Sequence, residues 1–377
     1  MFETWSHLAL QQYWWVIIAL LGGLFVFMMF VQGGQTLLWS LSKNELEKSM
    51  LVNSLGRKWE LGFTTLVLFG GALFAAFPLF YAASFGGAYW VWMAILFCFI
   101  LQAVAYEYRK KPDNLLGAKT FEVFLFINGS LGVILVGTAV ATFFSGSEFY
   151  VNEANLSAWK HPLRGLEAAF DPFNLFLGIA VFFLARILGA MYFINNVDHT
   201  GLGERSRKAV AMNTLFFLPF FLLFVGLLLF KEGFAVDPAT KTVAMESGKY
   251  LANFLAMPIC GLGLFLAGVV LVLAGVFVTV FRGSKRGIWF SGTGTVLTVM
   301  ALFFAAGFNH TAYYPSTFDL QSSLTIENSS GSHYTLTAMS YVSLMVPFVL
   351  AYIAWVWRAM DREKITAGEI EADSHAY

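Results

Sequence analysis

The sequence predicts an all-α polytopic membrane protein of nine transmembrane helices, with its N-terminus outside and its C-terminus in the cytoplasm. Three observations predict it. Nine mostly apolar runs are each about 20 residues long, which is the length that crosses the hydrocarbon core of a bilayer. The composition is 58% apolar and only 12% charged, as expected of a chain whose solvent is mostly lipid. Lys and Arg concentrate in alternate loops, those after the first, third, fifth and seventh runs, and in the C-terminal tail; cytoplasmic loops retain positive charge, which sets the orientation. The runs must be helices, because lipid offers no partner to backbone N–H and C=O groups and the segments are too long and too uniformly apolar for barrel strands.

Taken in order, the runs fall at residues 13–38, 61–81, 89–107, 120–144, 172–194, 211–230, 258–281, 288–308 and 336–357. The first exceeds a signal-peptide core and follows an N-terminus without a basic region, so it is expected to stay as a helix. It carries Gln32 and Gln35 near its cytoplasmic end, one turn apart and on one face. Trp59 and Glu60 open the second from the same side. This run also places Gly71 with Ala75, and Ala72 with Ala76, at the four-residue spacing that lets helix backbones approach closely. Gln102 and Glu107 lie toward the cytoplasmic end of the third run, and Glu122 near the cytoplasmic start of the fourth. The fifth holds Arg186, the one cation well inside a run, which invites a search for its partner. Between the eighth and ninth runs, an outer segment without Lys or Arg and rich in Ser and Thr is expected to cover the outer surface or a partner.

The organisation that follows is a first four-helix bundle (residues 1–144), an external linker (145–171), a second four-helix bundle (172–308), an external segment (309–335), and a ninth, peripheral helix with a cytoplasmic tail (336–377). Disorder is expected at the tail end, residues 372–377.

Several chemistries are absent. The histidines, His7, His161, His199, His310, His333 and His375, lie in loops, tails or helix ends, so haem held by His within this chain's spans is not expected. Cys98 and Cys260 fall inside runs and read as small buried hydrophobes. No phosphate-binding glycine motif, paired metal-ligand spacing or nucleophile with a base is present, and nothing points to a nucleic-acid partner.

What remains is three carboxylates and three amides, Glu60, Glu107, Glu122, Gln32, Gln35 and Gln102, brought to one depth by four helices. An ionised carboxylate within the bilayer must line water or pair. The cluster therefore reads either as the mouth of a proton path, with Glu60 and Glu107 as titratable stations, or as helix-end charges in headgroup water, Glu107 pairing with Arg109 or Lys110.

The residues also resemble a known family. Trp59-Glu60, the stretch Gly70-Gly71-Ala72-Leu73-Phe74-Ala75-Ala76-Phe77-Pro78 and Tyr81-Ala82-Ala83 resemble the second helix of subunit II of cytochrome bd quinol oxidases. Tyr106-Glu107-Tyr108-Arg109, Asn253-Phe254 with Pro258-Ile259, and Tyr314-Pro315-Ser316 through Ser323-Leu324-Thr325 to Leu336-Thr337 extend the match across nine spans. The resemblance implies a non-catalytic subunit paired with a haem-bearing subunit I that holds haem b and haem d. Such a complex oxidises quinol in the bacterial inner membrane, reduces O2 to water with cytoplasmic protons, and so generates a proton gradient. It also implies a structural quinone or lipid, and a small accessory membrane subunit, as candidate companions, with the small-residue face of the second helix against a neighbour.

By the same resemblance, acids belong where Gln32, Gln35, Glu60 and Glu107 stand. Here Gln32 and Gln35 are amides, which cannot titrate near neutral pH, and Gln102 stands where related proteins carry Arg. The alternatives are a purely structural or quinone-binding subunit, and a secondary transporter. Against the last, Pro78, Pro219 and Pro258 do not fall at matching places in the two halves.

Overall fold

A computed structural model describes residues 1–111 and 114–372; residues 373–377, most of the tail end for which disorder is expected, lie outside them. Among the described residues, nine helices are long and apolar enough to cross a membrane: α1 (His7–Gln35), α2 (Glu45–Ala76), α3 (Tyr89–Tyr108), α4 (Ala118–Ser145), α5 (Pro172–Asn196), α6 (Thr200–Phe230), α7 (Pro258–Val280), α8 (Gly287–Gly307) and α9 (His333–Met360). The match to the nine apolar runs is one to one. The bounds differ most at α2 and α6, which begin earlier than their apolar runs. Both carry a polar helical extension, and α2 has its own N-cap, where the Asn44 side chain accepts from the Glu47 N–H at 2.8 Å.

Small residues set the tightest contacts. A Cβ on Gly33 would fall 2.0 Å from the Ala185 carbonyl, so only glycine lets α1 lie directly on α5 at this level. Regular helix also gives way at the places that matter later. The α1 register slips at Met29, α2 at Arg57 and Lys58, and α4 contains a π-helical turn at Asn128–Gly132.

The two faces of the molecule are built differently. On the face opposite the basic loops, the linker after α4 forms a hairpin, β1 (Phe149–Val151) with β2 (Ser157–Trp159). A second hairpin, β3 (Glu232–Val236) with β4 (Val243–Ser247), follows α6; neither hairpin is predicted by the apolar runs. The Ser- and Thr-rich segment folds back over this end of the chain. It is tied by bridges Ser147 to Ser316 and Ala235 to Thr311 and by Gly331 N–H donating to the Ala76 carbonyl at 2.8 Å. Tyr313 and Tyr314 plug into an aromatic cluster with Trp15, Phe80 and Phe143, the Trp15 and Tyr313 ring centres 4.4 Å apart. Burial pushes the Tyr314 hydroxyl up to about 12, so it remains a neutral hydrogen-bonding group.

The basic face is closed by the tail. Lys58, fully buried, donates to Asp361 Oδ1 at 2.8 Å, and Asn196 reaches the same oxygen at 3.0 Å. Ile365 exchanges backbone hydrogen bonds with Asn196 and Asp198, and Arg57 pairs with Glu369.

Candidate functional site

The polar residues picked out near the basic ends of α1 to α4 separate into three groups. The first is a buried node of amides. Gln32 and Gln35, three residues apart on α1, both donate from Nε2 to Gln102 Oε1 on α3, at 2.8 and 2.7 Å. Gln35 Nε2 also reaches the Tyr106 hydroxyl, one turn further along α3, at 3.1 Å. All three amides are at most 1% exposed. Backbone packing puts them there: a Cβ on Gly129 of α4 would fall 2.2 Å from the Gln32 carbonyl, so glycine lets α4 close directly onto this turn of α1.

Asn128, beside Gly129 in the π-helical turn, belongs to the same layer. It is fully buried, and its amide lies at the contact between Gly132 and Cys98, one turn from Gln102. Sequence reasoning missed it; the signal was an Asn-Gly pair inside the fourth apolar run. The node is not self-sufficient. Among the described residues, Gln35 Oε1, Gln102 Nε2, both amide atoms of Asn128 and Trp59 Nε1 are buried without a hydrogen-bond partner. Each such group costs about 1–3 kcal/mol when left unsatisfied.

The second group is the rim. Trp59 stacks on Tyr106 with ring centres 5.8 Å apart and planes 12° apart, roofing the node. Glu60 and Glu107 each directly follow one of these two rings in sequence. Unlike them, both glutamates are exposed on the surface of the chain and make no ion pair or side-chain hydrogen bond among the described residues. The structure thus brings the amides together but leaves Glu60 and Glu107 outside the node. Arg109, one expected partner for Glu107, is engaged elsewhere.

That engagement is the third group. Glu122, 3% exposed, accepts from Arg109 Nη2 at 2.9 Å and from Trp39 Nε1 at 2.8 Å, and Lys48 Nζ lies 3.2 Å away. Glu45 completes the set with Lys48 at 2.6 Å and Arg109 at 3.3 Å. Glu122 is therefore a fully compensated structural carboxylate.

On the small-residue face of α2 the positions also divide. Nothing lies within 4 Å of a Cβ built on Gly71, which is exposed, and Ala75 is half-buried. Ala76 is buried and Ala72 packs against this chain's own core, so those two serve internal packing.

Among the described residues no group of three or more His, Cys, Asp or Glu side chains could hold a metal ion. The described histidines sit at helix starts or in loops. His7 Nε2 lies 3.0 Å from the Gly331 carbonyl and His333 Nε2 2.9 Å from that of Trp5, while His199 caps the start of α6.

The family model described as Cytochrome bd terminal oxidase subunit II matches residues 10–360. The chain is 28% identical to a protein of Haemophilus influenzae named probable cytochrome oxidase subunit 2, over 96% of this chain and 97% of that one. It is likewise 28% identical to the Escherichia coli cytochrome bd-I ubiquinol oxidase subunit 2, with the same coverage, and 26% identical to the Bacillus subtilis cytochrome bd ubiquinol oxidase subunit 2, over 92% and 94%. Its fold is that of a chain in the bd oxidase of Geobacillus thermodenitrificans, with a TM-score of 0.56 over 94% of this chain and 99% of that one at 12% identity.

Proposed function

The chain belongs to the family of cytochrome bd terminal oxidase subunit II, and from that premise we propose that it is the haem-free partner of a haem-bearing subunit I, and that it supplies a proton entrance as well as a scaffold. In this reading the basic loops face the cytoplasm of a bacterium and the complex lies in the inner membrane. It oxidises quinol and reduces oxygen to water with protons taken from the basic side. In this reading the chain is non-catalytic: its polar side chains hold and move protons, and the haem-bearing partner carries the electrons.

One observation carries the proton reading. The two acids at the rim, Glu60 and Glu107, each adjoin a ring of the Trp59–Tyr106 stack, and beneath that stack lies a node whose buried polar atoms lack partners. A site of this kind holds water, because bridging water satisfies buried polar atoms nearly as well as direct bonds do. Gln32, Gln35 and Gln102 orient that water without taking up a proton. Glu60 and Glu107, the carboxylates at the rim, act as collecting groups and the node as a neutral relay. A density map of the intact complex tests this. Ordered water bonded to Gln102 Nε2, Gln35 Oε1 and the Asn128 amide supports the relay; the same atoms bonded directly to side chains, with no water between, contradict it.

A purely structural role is the second reading, and the convergence of Gln32 and Gln35 on Gln102 favours it, since this ties α1 to α3. Two surfaces suit companions. An apolar crevice of about 60 Å³, bounded by Val26, Leu184, Phe217, Val272 and Leu302, has room for only the end of a lipid or quinone tail. The exposed run of α9 at Phe348, Tyr352 and Trp355 leaves a face for lipid or a small accessory subunit.

A further inference from the structure

Arg186, on α5, has no part in the proton reading, and its surroundings ask for an anion. Its Nε donates to Asn213 Oδ1 of α6 at 2.7 Å. Its Nη1 donates to Thr36 Oγ1 at 2.8 Å and to the Thr36 carbonyl at 3.4 Å. All three acceptors are neutral. No carboxylate pairs with it among the described residues, in contrast to Lys48, Lys58, Arg109 and Arg205, each of which has one. Among the described residues Nη2 makes no hydrogen bond, and the side chain is half-buried rather than enclosed. A cation within a span that is neither paired nor sealed is an open site for negative charge.

The surroundings say what carries that charge. Leu175, Phe176, Ile179, Phe182 and Phe183 share the partly exposed face of α5 that ends at Arg186, at helical spacing, so an apolar stripe runs from the guanidinium away from the basic face. Phe216 and Phe220 of α6 extend it, with the Phe183 ring centre 5.4 Å from that of Phe216. Asn213, which fixes the guanidinium, lies about 8 Å of helix rise beyond Lys208, the last cation before the apolar part of α6. A cation inside the span, about 8 Å of helix rise below Lys208, with an apolar stripe leading on toward mid-membrane, fits one kind of molecule: an amphiphile whose anionic head is drawn inward and whose acyl tails lie along the stripe.

We propose that Arg186 seats the phosphate of an anionic membrane lipid, its acyl chains lying along Phe183, Ile179 and Phe176 of α5. The test uses the assembled oxidase purified with its native lipid, with bound species read by native mass spectrometry. The wild-type complex is expected to retain phosphatidylglycerol through detergent exchange, Arg186→Gln at least fivefold less, and Arg186→Lys nearly as much as the wild type. Equal retention in wild type and Arg186→Gln, or replacement of the lipid by a quinone, overturns the assignment. A second measurement needs no variant. Stripped wild-type complex resupplied with phosphatidylglycerol vesicles is expected to gain thermal stability over the same complex given phosphatidylethanolamine vesicles or inorganic phosphate; equal gains overturn the proposal.

Discussion

Two polar clusters lie side by side at the basic end of the first four helices, and they are satisfied in opposite ways. Glu122 is charged and buried, and every charge around it has a counter-charge within 3.3 Å. The amide node of Gln32, Gln35, Gln102 and Asn128 is neutral and equally buried, yet several of its atoms lack partners. Leaving a buried charge unpaired is far costlier than leaving an amide atom unbonded. At the basic end of the first four helices the groups left unsatisfied are therefore neutral ones, while the buried carboxylate sits in closed pairs. The contrast separates holding from the relay proposed above: the ion pairs tie the helices together, and the node carries the unsatisfied atoms on which the proton reading rests.

The largest effect is expected from breaking a closed pair. Lys58→Met leaves the Asp361 carboxylate buried without its cation and should destabilise the complex by about 3–5 kcal/mol, read as a lowered midpoint of thermal or denaturant unfolding of the assembled oxidase. Adding Asp361→Asn should recover much of the loss, because the uncompensated charge is then removed. A double variant as unstable as the single one would mean that the cost comes from packing around Lys58 and not from charge.

Gln102→Leu attacks the node instead. It removes the acceptor shared by Gln32 and Gln35, at about 1–3 kcal/mol for each donor left bare. Since Gln35 keeps Tyr106, the total should stay below that of Lys58→Met. A loss as large as for Lys58→Met would erase the distinction between the two clusters and favour the purely structural reading.

Gly71→Leu probes neither cluster and so serves as the outer reference. Its position is open within this chain, so any loss of co-assembly with the haem-bearing subunit, about 1–3 kcal/mol for overpacking, reports a helix packed on that face. Unchanged assembly would mean that the face meets lipid.

Run lengths and loop charge made the nine spans legible in the sequence, and the chain spacing of Gln32 and Gln35 already put them on one face. Gln102 was found with them because depth alone identifies which residues can meet. Azimuth was not legible. Glu60 and Trp59, like Glu107 and Tyr106, are neighbours about 100° apart around a helix, and whether the ring or the acid turns inward is decided by packing among α1, α2 and α3. The pairing of Lys58 with Asp361 lay beyond reach for another reason: it joins residues some 300 positions apart through a tail that reads only as polar. Glu122 reads in the sequence only as an acid near the start of the fourth run; its compensation by Arg109 and Lys48 depends on how α2 and the end of α3 pack against α4.

The central claim is that protons reach the oxidase through the rim acids above the neutral node. Oxygen consumption and proton uptake by Glu60→Gln, Glu107→Gln and the double variant, compared with the wild type at matched haem content across pH, test it most directly. The substitutions keep size and hydrogen bonding but remove titration at exposed sites, so assembly and haem content should hold. Turnover should fall by roughly tenfold in Glu60→Gln, equivalent to about 1.4 kcal/mol, less in Glu107→Gln and most in the double variant. Wild-type rates of oxygen consumption and proton uptake in the double variant would contradict the account and place the working route in the partner subunit.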